Sequence, residues 1–105
     1  MNFFSIYASF DNFYNSFFRG NEVEFIYEND SYYLLPVFNN SKNVIGVCFG
    51  KAYANIDIEC RSKDELYHVQ INGSFLGDIL DKIVITWHNF WLFATPLRGV
   101  TVVMC

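Results

Sequence analysis

Two pairs of carboxylates stand two residues apart in this chain, Glu22 with Glu24 and Asp57 with Glu59. On an extended strand that spacing aims both members of a pair at one face. Such pairs either divide acid and base roles, as in glycoside hydrolysis, or make an anionic surface that attracts a basic partner. The charge distribution favours the second use. Residues 1–38 carry five carboxylates, Asp11 among them, against one cation, Arg19, whereas residues 39–105 carry six of each sign. The whole net charge of −4 therefore arises in the first third. Glu22, Glu24, Glu28 and Asp30 fall within residues 21–30, where they interleave with Val23, Phe25, Ile26 and Tyr27. If both acidic strands belong to one sheet, Glu22, Glu24, Asp57 and Glu59 share a face of it, and a cationic partner would relieve their repulsion.

Other chemistries find less material. Three thiols (Cys48, Cys60, Cys105) and two imidazoles (His68, His88) are the stock for a nucleophile–base pair. A catalytic thiol needs a depressed pKa and a base within hydrogen-bond reach, and no local pattern joins a cysteine to a histidine here. The histidines read as surface or capping residues. Cys48 and Cys60, in apolar strand-like surroundings, read as buried reduced thiols; an odd number at wide spacing is not a disulfide framework. There is no C-x-x-C, H-x-x-x-H or EF-hand loop to hold a metal. The six glycines are scattered and form no phosphate cradle. Without a basic run the chain lacks the footprint of a nucleic-acid binder. The expectation is a protein with no catalytic residues, no cofactor and no metal, which acts by binding.

A length of 105 residues suits a single domain, 1–105, with one modest core. Apolar residues make up 52% and charged residues 17%, which disfavours disorder. Aromatic residues reach 20%, more than a small core hides, so some rings should be exposed or buried in an oligomer or complex. The N-terminal residues lack a cationic n-region and are interrupted by Asn, Ser and Asp, unlike a secretory signal. Together with reduced thiols this points to the cytoplasm. Residues 83–105 are strongly apolar, but His88, Asn89, Pro96 and Arg98 leave no uncharged run of ~18 residues, so no membrane span is expected.

The elements that must position the carboxylates can be read from periodicity. Phe10, Phe13, Tyr14, Phe17 and Phe18 form a helical stripe within residues 9–20, with Ser9 as N-cap, Arg19 in the last turn and Gly20 as the residue that ends it. Residues 22–27 alternate as a strand, 28–31 turn, and 32–38 return, with Pro36 marking an edge or strand end. Residues 44–49 and 52–60 make a second strand pair around a turn at Gly50 and Lys51. In the latter strand Ala54, Ile56, Ile58 and Cys60 face inward and Asn55, Asp57 and Glu59 outward. Ser62 and Glu65 are spaced as a capping box for a short helix. Asn72-Gly73 breaks the chain, and Ser74 starts a second short helix carrying Phe75, Ile79 and Leu80. Strands follow at 83–87, 90–95 and 100–104. This order predicts an α+β fold: one curved antiparallel sheet, with the N-terminal helix and two short helices packed on one face.

The run F-x-x-x-F-x-x-G-x-E-V-E-F-x-Y from Phe13 to Tyr27, followed by S-K-D-E-L (62–66), I-N-G (71–73) and L-x-D-I-L-x-K-I (76–83), resembles a group of small bacterial proteins over about residues 10–87. These are the immunity proteins of polymorphic toxin systems, including contact-dependent growth inhibition. The resemblance implies a cytoplasmic, non-enzymatic inhibitor that binds and neutralises a cognate toxin domain, commonly a nuclease. Nuclease sites are cationic because they hold phosphates, so a basic partner matches the acidic hairpin. The expected partner-binding residues are Glu22, Glu24, Glu28, Asp30, Asp57 and Glu59, with Tyr32, Tyr33 and Tyr53 as aromatic anchors. The alternatives are a homo-oligomer, such as a homodimer, that buries its aromatic surface on itself, and a small enzyme using cysteine or carboxylate chemistry.

Overall fold

Residues 1–89 are described by a computed structural model. The strands predicted at 90–95 and 100–104 lie outside the described residues. The acidic hairpin forms as expected. β1 (Glu22–Tyr27) returns as β2 (Asp30–Phe38) through a two-residue turn, in which Glu28 (φ 49°) and Asn29 (φ 70°) both take left-handed backbone. That pair of positive φ angles gives a turn whose twist matches the flanking strands. β3 (Val44–Lys51) and β4 (Asp57–Cys60) continue an antiparallel sheet, and β7 (Val84–Asn89) adds to the far side of β1. Among the described residues the spatial order is β4-β3-β2-β1-β7, with Asn2 bridging to Val84 beyond β7 and with register irregularities in the β2–β3 and β1–β7 pairs that bend the sheet. The predicted α+β architecture, one curved antiparallel sheet with its helical segments on one face, is the observed one.

The core lies on a single face of this sheet. Val23, Phe25 and Tyr27 of β1, Tyr32 and Leu34 of β2, and Val47 and Phe49 of β3 point into it. α1 (Phe10–Phe17) closes it with Phe13 and Phe17, both fully buried, and the 3-10 turn Phe3–Ser5 adds Phe3. Phe13 meets Phe3, Tyr7 and Phe17 edge to face at centroid distances of 4.9–5.0 Å, and Phe3 and Tyr7 lie tilted at 5.2 Å. Among the described residues eight aromatic side chains are buried, whereas Phe4, Phe18, Tyr53 and Trp87 remain exposed. α1 begins where Ser9 Oγ accepts from the Asn12 N–H (3.1 Å), and it ends at Phe17. Arg19 therefore falls beyond the last turn. Gly20 (φ 87°) makes the left-handed exit, and the Asn21 N–H reaches back to the Ser16 carbonyl.

α2 (Lys63–Tyr67) starts at the predicted box: Ser62 Oγ accepts from the Glu65 N–H, and the Glu65 carboxylate accepts from the Arg61 N–H. His68 caps its C-terminal end. The second predicted helix is instead a two-residue hairpin, β5 (Gln70–Ile71) with β6 (Ser74–Phe75), and one 3-10 turn, Leu76–Asp78. Asn72 (φ 53°) and Gly73 (φ 86°) supply another left-handed two-residue turn, so this dipeptide is a hairpin signal. Other expectations shift as well. β3 runs through Gly50 and Lys51, and the turn falls later, around Tyr53 (φ 64°). β4 is consequently only four residues long and lies at the sheet's edge among the described residues; Ile58 on it and Ile56 just before it remain exposed, while Cys60 alone of its residues is buried. Cys60 is a free thiol as expected, whereas Cys48 is disulfide-bonded, contrary to expectation. Pro36 sits past the last β1–β2 pair, Val23 with Leu34, so among the described residues that end of β2 has only β3 beside it and Pro36 leaves no β1 ladder bond unmade. Among the described residues no helix is long and apolar enough to cross a membrane.

Candidate functional site

The face of the sheet opposite the core carries the carboxylate pairs. Cross-strand register defines a row on it: Trp87 of β7, Glu24 of β1, Tyr33 of β2, Gly50 of β3 and Asp57 of β4. The neighbouring row includes Asn89, Glu22, Leu35, Cys48 and Glu59. Glu22, Glu24, Asp57 and Glu59 therefore do share one face. They do not form one carboxylate patch, because β1 and β4 are three strand spacings apart, about 14 Å. The residues between them are Tyr33, Leu35, Cys48 and Gly50.

The β4 carboxylates have internal partners. Asp57 accepts the Tyr33 hydroxyl, and Glu59 pairs with Arg61. Glu28 accepts from the Asn72 amide at 2.9 Å, which ties the two hairpin turns together, and Asp30 pairs with Lys51 at 3.3 Å. Asp11 pairs with Lys63 at 2.9 Å, joining α1 to α2. Glu24 is exposed, and its carboxylate has no ion-pair partner among the described residues.

Tyr32 is not available as an anchor. Strand alternation turns it inward beside Leu34, where it is buried and stacked between Phe25 (5.4 Å) and Phe49 (5.7 Å). Tyr53 is fully exposed at the tip of the β3–β4 turn. Tyr33 lies on the outer face with its ring over Gly50: a Cβ built on Gly50 would come within 2.6 Å of its Cε1 and closer still to its hydroxyl end. Gly50 thus lets Tyr33 lie flat across β3 and reach Asp57. That hydrogen bond, followed by partial burial, pushes the Tyr33 phenol above its ordinary pKa, because ionisation would place a phenolate against a carboxylate.

With Tyr33 leaning toward β3, the space above Glu24 opens on the other side. The result is a groove of about 430 Å³. Tyr33 and Trp87 form its flanks, Glu22, Glu24 and Leu35 lie along it, and Ser31 and Ala52 bound the hairpin end. Trp87 is 41% exposed despite its size, and the cross-strand pair Ile26 and Val84 extends the apolar surface beside it.

Trp87 was not legible as a site residue. Ile83, Ile85 and Trp87 alternate, which would send all three into the core. A bulge at Thr86 breaks the alternation: Phe25 pairs with Ile85, but Glu24 pairs with Trp87, leaving Thr86 as an extra residue. Its hydroxyl donates to the Glu24 carbonyl at 3.2 Å. One inserted residue flips every side chain after it to the other face, which places Trp87 against Glu24.

The groove has the composition of a binding site for a cation: an exposed carboxylate flanked by two aromatic rings on a rigid sheet. Among the described residues no group of His, Cys, Asp or Glu is placed to hold a metal ion. Comparison with family models, with curated proteins and with solved structures yields no match.

Proposed function

We propose that this chain is a non-catalytic immunity protein that binds a basic toxin domain, such as a nuclease, and neutralises it in the cell that makes both. One observation carries the reading: Glu24, exposed and without an ion-pair partner among the described residues, lies between Trp87 and Tyr33 on the face of the sheet opposite the core. Asp30, Asp57 and Glu59 are engaged within the fold, so the negative potential available to a partner on this face centres on Glu24. Such a surface speeds encounter with a basic partner, and aromatic flanks supply short-range affinity once docked. An inhibitor gains from fast association because damage accumulates until it binds.

Co-expression with the toxic C-terminal domain of a secreted protein encoded beside it tests the proposal. Restored growth is expected, and the Glu22→Lys/Glu24→Lys variant should lose it while remaining folded by circular dichroism. Unrelieved killing, or rescue indifferent to the charge reversal, would overturn it. A second reading rests on Ile56 and Ile58, which stay exposed at edge strand β4. Pairing of two β4 strands would make a homodimer without any toxin. Sedimentation velocity separates the two: a dimer dispersed by Ile58→Lys favours self-association, and a monomer favours the heterologous partner.

A further inference from the structure

We infer that the groove between Trp87 and Tyr33 is a receptor for one arginine side chain of a protein partner, with the guanidinium stacked on Trp87 and paired with the Glu24 carboxylate. The inference deepens the proposed function and rests on it only in taking the partner to be a protein. Three features of the groove match three parts of an arginine side chain. Trp87, the best π-face for a cation, stands half-exposed at one flank. Its cross-strand neighbour Glu24 offers a carboxylate in the same row, at the separation of directly opposed residues, about 5 Å between Cβ atoms. Leu35 gives an apolar surface for the methylene stem.

Arginine fits better than lysine because its planar guanidinium can stack and donate two hydrogen bonds to one carboxylate at once, whereas an ammonium is a compact, strongly hydrated charge. The groove volume of about 430 Å³ falls in the range of sites that take small ligands. Two structural devices hold it open. The Thr86 bulge turns Trp87 outward, and Gly50 together with Asp57 draws Tyr33 away from Glu24.

Titration of the isotopically labelled chain with Nα-acetyl-arginine amide, followed by amide NMR, tests this directly. The expected result is saturable movement of the Glu24 and Tyr33 amides and the Trp87 indole N–H, with a dissociation constant in the millimolar range that rises with salt. The citrulline analogue, which has the same shape without the charge, should bind about tenfold or more weakly. Trp87→Leu and Glu24→Gln, both surface substitutions, should each weaken the arginine probe about three- to tenfold. Equal binding of citrulline, shifts mapping away from the groove, or no shift at tens of millimolar probe would overturn the inference. A toxin neutralised by the chain with a silent arginine titration removes the arginine pocket and leaves neutralisation standing. Arginine binding without neutralisation does the reverse.

Discussion

Replacing Gly50 with alanine should destabilise the protein only as long as Tyr33 is present. The new methyl group would fall within 2.6 Å of the Tyr33 ring and nearer still to its hydroxyl end, so one of them must move. The obstruction is the far end of a side chain rather than backbone, and the relief route is rotation of Tyr33 off β3. That movement forfeits the ring's packing and its hydrogen bond to Asp57. Overpacking of this kind costs about 1–3 kcal/mol. Gly50 does not adopt positive φ, so alanine also removes unfolded-chain entropy, worth about 0.4–1 kcal/mol in its favour. The net expectation is a loss of about 1–2 kcal/mol. In a Tyr33→Ala background the clash is gone and only the entropic gain remains, so the same substitution should stabilise by about 0.4–1 kcal/mol. Urea unfolding of the four proteins in this cycle measures both values; with a slope of about 1–3 kcal/mol per molar, the first corresponds to a midpoint shift of roughly 0.3–2 M. The reversal of sign is the diagnostic. If Gly50→Ala has the same sign and size in both backgrounds, Tyr33 does not lie over Gly50 and the groove is not held open in the way described.

Further expectations concern groups buried or paired in the fold. The Tyr33 phenol titrates above its ordinary value, so its contribution to stability is complete below the unfolded pKa near 10 and is lost as pH rises through the folded value; Asp57→Asn should bring the Tyr33 ring titration, followed by NMR, back toward the ordinary value. The Cys60 thiol is pushed up to about 11, chiefly by burial and then by Glu65 and Glu59, so it should resist thiol reagents at neutral pH and react at a rate that follows unfolding by denaturant. Asn21 is fully buried and donates to Tyr7 Oη (2.7 Å) and Ser16 Oγ (2.9 Å); Asn21→Ala should cost about 1–3 kcal/mol in urea unfolding, whereas an unchanged midpoint would deny that network a structural role.

What the sequence disclosed and what it hid have physical causes. The helix over Phe10 to Phe17, strand β1 and the cap at Ser62 are local features: their periodicity and hydrogen-bonding side chains lie within a few residues of one another. The sharing of one face by Glu22, Glu24, Asp57 and Glu59 follows from strand parity once both strands join one sheet. Their separation does not, because it depends on strand order. Tyr32 and Tyr33 looked alike because YYLLPVF is apolar on both faces and gives no alternation to read. Register from the two-residue turn decides that Tyr32 enters the core and Tyr33 stays outside. Trp87 was hidden for the opposite reason, since an orderly alternation pointed inward and a single bulged residue reversed it. Asn72-Gly73 did carry a local signal, that of a tight hairpin, which outweighed the helical spacing of Phe75, Ile79 and Leu80.

If the Glu24 side of this sheet face docks a basic protein domain, charge steering must show in the kinetics of association. The decisive measurement is the association rate constant between the chain and the basic domain proposed as its partner, followed by stopped-flow fluorescence across a range of salt concentrations for the native protein and for Glu24→Lys. The expected rate falls steeply with salt in the native protein and is slower and nearly salt-independent in the variant. Identical salt dependence in the two proteins would contradict it.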